Sequence, residues 1–287
     1  MNLEYLKQYK SLYVLGHYKY DVDSYISSYL ITKILNYFKI PATWAILDKA
    51  LDDIDSNILL NDCIKEIPVI IDINKTDVSY FLVDHNDVNQ SVKTSENVVG
   101  AFDHHLNLKQ YNHIFITKRC CCSLGVYEEY KAIYPFTKED KYKVFMAFLS
   151  DSLYTKSSRC TDNDIKLAEE LGFSQDYESL FNKYFIFTDL TKGIKPVFNE
   201  GYKEYTVNGL TFASNYIKAN NTDLLIDFKE EVKRTQNNFL GIWVNMSNNT
   251  TIAYFKVNSH IKEFNYNFIA SRGLTIINDI LKYLGEN

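Results

Sequence analysis

Asp103, His104 and His105 stand side by side directly after the apolar run VVGAF, and three further clusters occupy comparable places: GHYKYDVDS at 16–24, VDHN at 83–86 and SDS at 150–152. Aspartate offers hard oxygen donors and histidine an imidazole nitrogen, and both take or give protons. Gathered in one crevice without a cation, six such groups would repel one another or stay unsatisfied. Two divalent ions resolve the conflict, because a two-metal site takes about six protein ligands around ions roughly 3.5–4 Å apart, with one carboxylate able to bridge. Oxygen and imidazole donors without thiolate favour Mn2+, with Mg2+ or Co2+ as alternatives, over structural zinc. Water bridging two such ions loses a proton near neutral pH and can attack phosphorus in line, with no covalent protein intermediate.

Taken singly, the clusters have plainer explanations. Asp21 and Ser24 could cap a helix, and His85 could brace its loop by hydrogen bonding. His113 and His260 lie outside every cluster and read as core or surface histidines. Yet four of the six histidines fall within the clusters. Separate accidents at four element ends explain that poorly.

The elements that must carry these residues are visible as periodicity. SLYVLGH (11–17) reads as a buried strand followed by a helix through SYISSYLITKILNYF (24–38), where Ile26, Leu30, Ile34 and Tyr37 recur near a 3.6-residue period. TWAIL (43–47), VSYFLVDH (78–85) and VVGAFDHH (98–105) read as further strands, the last two as continuous apolar runs suited to strands covered on both faces. The expected fold is α/β, a doubly wound and mainly parallel sheet. Three of the four clusters directly follow its strands, whose C-terminal ends converge on the ligand crevice in such folds. Helical stretches at 141–154 and 161–173, the second capped by Thr161 or Asp162, close a first domain spanning 1–187. TDLTKGIKPVF (188–198) is the expected linker. Residues 199–287 form a smaller α+β domain, with an Asn-Gly hairpin signal in YTVNGLTFASNYI, strands in FLGIWVNM and TTIAYFKV, and a helix ending FIASRGLTIINDILKYL.

Composition narrows the partners. A chain of 287 residues with 46% hydrophobic content can bury two modest cores. Its net charge is −5 with basic residues dispersed, so no footprint for a nucleic-acid polymer exists and an anionic ligand must be met locally. The opening MNLEYLKQYK lacks a signal-peptide pattern and no apolar run approaches a membrane span, which gives a cytoplasmic expectation. Cys63 and Cys160 stand alone and Cys120, Cys121 and Cys122 are consecutive, a spacing for neither a disulfide framework nor a zinc knuckle.

With these motifs in this order the sequence resembles the DHH phosphoesterase superfamily, in its branch with a DHHA2-type second domain: manganese-dependent (family II) inorganic pyrophosphatases, exopolyphosphatases and prune-like proteins. GHYKYDVDS is similar to the family's GHxNPDTDS, keeping His17, Asp21, Asp23 and Ser24, with Lys19, Tyr20 and Val22 at positions of Asn, Pro and Thr. The resemblance implies that His17 and Asp21 bind one metal, that Asp23, His104 and Asp151 bind the other, and that Asp84 bridges them. It further implies that His105 faces the substrate phosphate and that Asp103 orients the histidine pair. SDSLYTKSSRCTDNDIKLAEEL is similar to the pyrophosphatase pattern SDTxxFKSPTCTxxD. In NEGYKEYTVNG, similar to D-x-K-x-F, Lys203 would bind phosphate. In FIASRGLTII, similar to the SRKK region, Arg272 is kept while Gly273 and Leu274 replace two lysines, so one phosphate contact is missing. No GGGH motif of the DHHA1 type is present.

The expected activity is therefore metal-dependent hydrolysis of inorganic pyrophosphate, with two hinged domains closing over a small anion and a homodimer as the family's tendency. Exopolyphosphatase or nucleotide phosphodiesterase activity is the alternative within the same chemistry, favoured by the altered 273–274 pair. A non-catalytic, prune-like interaction protein is the alternative from another class; retention of every buried charged ligand counts against it.

Overall fold

The computed structural model describes residues 3–18, 20–47, 68–72, 77–92, 95–105, 113–173, 176–184 and 187–286. They divide into two compact units, one of residues 1–155 with 160–185, the other of 156–159 with 186–287. Residues 188–198, expected as a linker, thus belong to the second unit, and so does the short segment 156–159.

In the first unit, six strands form a parallel sheet: β1 (Leu12–Leu15), β2 (Ala42–Leu47), β3 (Val69–Ile71), β4 (Ser79–Val83), β5 (Val98–Asp103) and β6 (Ile114–Ile116), in the order β3-β2-β1-β4-β5-β6. That order reverses between β1 and β4, which makes the gap beyond their C-terminal ends the switch point of a doubly wound sheet. Helices α1 (Val22–Tyr37), α2 (Cys122–Tyr130), α3 (Lys138–Ser152), α4 (Asp162–Glu169) and α5 (Tyr177–Tyr184) belong to the same unit.

Helix α1 is buried on nearly every side, because it packs on the sheet and on α2 and α3. Its buried hydroxyls are satisfied within the helix: Ser27 donates to the Asp23 carbonyl at 2.6 Å, Ser28 to Ser24 at 2.8 Å and Thr32 to Ser28 at 2.8 Å. Small side chains at these positions let neighbouring helices approach without stranding polar groups. Capping boxes begin α3, with Thr137 and Asp140, and α4, with Thr161 and Asp164. Of the two caps expected for α4, Thr161 is the one used.

The second unit holds a mixed sheet of β7 (Lys203–Val207), β8 (Leu210–Ser214), β9 (Ile217–Ala219), β10 (Phe239–Asn245), β11 (Thr250–Val257) and β12 (His260–Tyr266), with α6 (Leu225–Arg234) and α7 (Ile277–Glu286). The order is β12-β11-β10-β8-β7, with β9 beside β10. The β7–β8 turn places Asn208 and Gly209 at φ 49° and 79°, the paired left-handed conformation that an Asn-Gly hairpin needs. Trp243, Phe228, Phe239 and Tyr254 centre its core.

Candidate metal centre

Strand order places three of the sequence clusters beside one another, since β1, β4 and β5 are neighbours and His17, Asp84 and His104 follow their C-terminal ends. Parallel register fixes the level, with Leu15 opposite Leu82 and Val83 opposite Phe102.

His17 Nδ1 lies 2.6 Å from the Tyr18 carbonyl oxygen, which can only accept, so Nδ1 carries the proton. Nε2 then has its lone pair, and it faces Asp21 Oδ2 at 3.4 Å and Asp84 Oδ2 at 3.3 Å. The preceding loop is held tightly: His17 N donates to Ser24 Oγ at 3.0 Å, and Gly16 N donates to the Tyr20 hydroxyl at 2.8 Å, which in turn donates to the Ala45 carbonyl at 3.1 Å. Tyr20 thus ties the loop to β2 from the position of the family proline. A side chain at Gly16 would collide with Ser24 Oγ at 2.2 Å, so glycine is required by close approach. Lys19 lies outside the described residues.

Asp21 takes the capping role considered for it and keeps its second oxygen turned to His17. Its Oδ1 caps α1 by accepting from Ser24 N at 2.9 Å, while Oδ2 points to His17. Asp23, in the first turn of the helix, accepts from the backbone N–H groups of Cys122 (2.6 Å) and Ser123 (2.8 Å) at the start of α2. Gly125 lets α2 lie close against Thr117, since a Cβ there would meet that side chain at 2.4 Å.

A second group forms around His104 Nε2, which lies 3.1 Å from Asp84 Oδ1, 3.7 Å from Asp151 Oδ2 and 4.0 Å from Asp23 Oδ2. Donor atoms of His17, Asp21 and Asp84 all fall within 4.8 Å of one another, as do those of Asp23, His104 and Asp151. Asp84 offers a different oxygen to each group. It is buried, and its Oδ1 makes no hydrogen bond in spite of its proximity to His104.

Asp103 organises the histidine pair. Its Oδ1 accepts from His104 N (2.7 Å), His105 N (3.1 Å) and His105 Nδ1 (2.8 Å), and its Oδ2 from Asn86 Nδ2 (2.6 Å). His105 is the more exposed of the two histidines, its side chain 30% accessible. His85 has Nδ1 against the Val83 carbonyl at 2.9 Å and Nε2 against Ser91 Oγ at 2.6 Å. Both its nitrogens are engaged in bracing the loop, the plainer role considered above.

The electrostatics show how crowded the carboxylates are. Burial, reinforced by the Asp84 charge and opposed by His104, pushes Asp23 up to about 7. Burial would raise Asp103 as well, but His105, which donates to it, holds it well below the usual carboxylate range. Burial and the nearby His17 push His85 down to about 4, which keeps it neutral. Burial pushes the thiols of Cys120, Cys121 and Cys122 up, so they stay protonated beside the site. A His17 lone pair facing two carboxylates, and a buried Asp84 oxygen that accepts no hydrogen bond, fit divalent cations among these donors. The set of hard oxygens and imidazoles suits divalent metal ions.

Sequence reading missed Tyr20, Asn86 and the two backbone donors of α2. Lys203 and Arg272 lie in the second unit. Arg272 donates to the Gly201 carbonyl at 2.5 Å, with its guanidinium 5.9 Å from the Tyr205 ring and 5.7 Å from that of Tyr216. Lys203 is two residues before Tyr205 on β7 and so shares its face.

Residues 11–154, just over half of the chain, match the DHH family, N-terminal domain. No curated protein sequence matches the chain. In fold it is similar to a Methanococcus jannaschii protein assigned to the family II inorganic pyrophosphatases, with TM-score 0.73 and 15% identity over 94% of this chain and 98% of that one. It is also similar to an exopolyphosphatase-related protein from Bacteroides fragilis, with TM-score 0.51 and 11% identity over 99% and 95% of the two chains. At these identities the likeness is one of fold. Among the described residues no helix is long and apolar enough to cross a membrane.

Proposed function

The chain belongs to the DHH family, and from that premise we propose that it hydrolyses the phosphoanhydride bond of inorganic pyrophosphate with two divalent ions, Mn2+ foremost. The observation that carries this reading is the division of Asp84, with Oδ2 3.3 Å from His17 Nε2 and Oδ1 3.1 Å from His104 Nε2. One buried carboxylate thereby joins two donor sets, His17 with Asp21 and His104 with Asp23 and Asp151. Divalent ions held there would supply Lewis-acid charge and make water a nucleophile near neutral pH.

The protein's own groups do the rest. Asp103 keeps the His105 Nδ1 proton in place and compensates the ring's charge when Nε2 takes up a second proton, so His105 can donate toward a phosphate oxygen or the leaving group. Lys203 and Arg272 would bind the anion, and Arg272 is oriented by Gly201. The likeness of the second unit to a DHHA2-type domain, and of SDSLYTKSSRCT to the pyrophosphatase pattern, supports pyrophosphate. Gly273 and Leu274 favour a second reading, cleavage of short polyphosphate.

The test is phosphate release from pyrophosphate and from tripolyphosphate with Mn2+, beside Asp84→Ala. Asp84-dependent cleavage of pyrophosphate, falling at least about a thousandfold in the variant, is expected from several kcal/mol of charge stabilisation at 1.4 kcal/mol per decade. Full activity in Asp84→Ala would refute the two-metal reading. Cleavage of tripolyphosphate alone would select the second substrate. Silence on both, with no metal uptake at micromolar concentration, would select the interaction protein.

A further inference from the structure

Two departures from the family patterns touch each other. Arg159 stands where SDTxxFKSPTCTxxD has threonine, and Gly273 where SRKK has its first lysine. A Cβ built on Gly273 would lie 3.1 Å from Arg159 Nη2. The guanidinium therefore borders the space in which a side chain at 273 would begin. Gly273 is not among the glycines at positive φ, so its backbone does not demand glycine. The tight approach of the Arg159 guanidinium is the one contact that a Cβ at 273 would meet within 4 Å among the described residues.

The contact is built into the second unit. Residues 156–159 follow α3 in sequence yet belong to that unit. Ser157 bridges Ile269, Ser158 N donates to the Ile269 carbonyl at 2.8 Å, Ser271 N donates to Ser158 Oγ at 2.9 Å, and Ser158 Oγ lies 3.1 Å from Thr275 Oγ1. These bonds fix the segment on both sides of Arg272 and Gly273. The turn carrying Arg272 is itself a π-helical stretch, Arg272–Ile276, a geometry frequent at functional sites.

We propose that Arg159 supplies to a phosphate-bearing anion the positive charge that position 273 lacks, giving the second unit a guanidinium pair, Arg159 with Arg272, in place of arginine and lysine. The proposal rests on the phosphoanhydride reading above. It removes the objection that the altered SRKK segment raises against pyrophosphate, because the charge has moved rather than disappeared. A guanidinium presents two parallel N–H groups to a pair of phosphoryl oxygens, whereas an ammonium acts as a point charge. Arginine at 159 thus selects an anion with terminal phosphoryl oxygens, inorganic pyrophosphate or tripolyphosphate, over a phosphodiester with fewer of them.

The experiment is calorimetric binding of imidodiphosphate, a pyrophosphate analogue with a P–N–P bridge, to the full chain with Mn2+, for wild type, Arg159→Thr, Gly273→Lys and Arg159→Thr/Gly273→Lys. Arg159→Thr should weaken binding about ten- to hundredfold, the loss of one charge-assisted bidentate contact. Gly273→Lys alone should gain less than it gains in the Arg159→Thr background, because the two side chains compete for one place. The double variant should recover most of the affinity. In turnover, Arg159→Thr should raise KM more than it lowers kcat. If Arg159→Thr melts early, Arg159→Gln keeps the stem and serves instead. Binding within twofold of wild type in Arg159→Thr, or a double variant no better than it, would overturn the proposal, as would failure of the wild type to bind imidodiphosphate. Binding that depends on Arg159 without phosphate release from pyrophosphate would instead sink the pyrophosphatase reading and leave the anion site standing. Fast pyrophosphate cleavage with an unchanged KM in Arg159→Thr would do the reverse.

Discussion

Replacing Asp103 by asparagine is the sharpest probe of how the histidine pair is held. The carboxylate accepts four N–H bonds, three at Oδ1 and one at Oδ2. An amide has one accepting oxygen, and if that oxygen takes the place of Oδ1, its NH2 opposes Asn86 Nδ2, now 2.6 Å from Oδ2. Neutral bonds are weaker than charge-assisted ones by about 1 kcal/mol each, and a stranded buried donor costs about 1–3 kcal/mol. Against this, the variant no longer desolvates a charge. The pKa direction decides the balance: burial raises Asp103, yet His105 holds it well below the ordinary range, so the folded protein favours the ionised form on balance. We expect a net loss of about 2–4 kcal/mol, or roughly 5–15 °C in the melting of a unit of this size.

The same direction gives a pH signature. A depressed carboxylate contributes stability that is fully present above its unfolded value of about 3.9 and is lost as pH falls toward the folded value. Melting both proteins in EDTA from pH 7 to pH 3 should therefore show a constant gap down to about pH 5 that begins to narrow below about pH 4. A variant as stable as wild type, or a gap undiminished at pH 3, would refute the reasoning. In turnover, a His105 ring robbed of its anionic partner should cost about two to four orders of magnitude in kcat, whereas metal affinity, reached through the main chain of His104, should fall no more than about a hundredfold.

Asp21→Ser separates the cap from the metal: serine caps as well as aspartate, so stability in chelator should stay within about 0.5 kcal/mol, while loss of Oδ2 weakens Mn2+ binding tenfold or more by titration. Tyr20→Phe strands Gly16 N and the Ala45 carbonyl in a buried setting and should cost about 1–3 kcal/mol in urea unfolding, with an unchanged midpoint contradicting the loop assignment.

The site was legible where chemistry and periodicity coincide. Apolar runs ending in His17, Asp84 and His104 give strand ends, and in a doubly wound sheet strand ends meet. What could not be read depends on partners far away in sequence. The N–H groups of Cys122 and Ser123 reach Asp23 across about a hundred residues, and nothing in CCCSLG announces that its backbone matters more than its thiols. Strands β3 and β6, three residues each, are too short for a period to register. Membership of 156–159 in the second unit rests on bonds to residues 269–275, so Gly273 looks in sequence like a simple loss of charge.

Asp84 shows why the sheet, rather than the loops, sets the geometry. It sits at φ 63°, a left-handed conformation that aspartate tolerates better than most residues but that still stores strain. Its N–H nevertheless donates to the Phe102 carbonyl at 3.0 Å, so the residue remains tied to β5. An extended residue there would continue the strand away from its neighbours. The left-handed turn instead stops the chain between β1 and β5, and the carboxylate reaches His17 on one side and His104 on the other. Glycine at 84 would relieve the strain and remove the one group within reach of both donor sets. The strained backbone and the divided carboxylate are two sides of a single requirement, an acidic residue at the point where the strand order reverses.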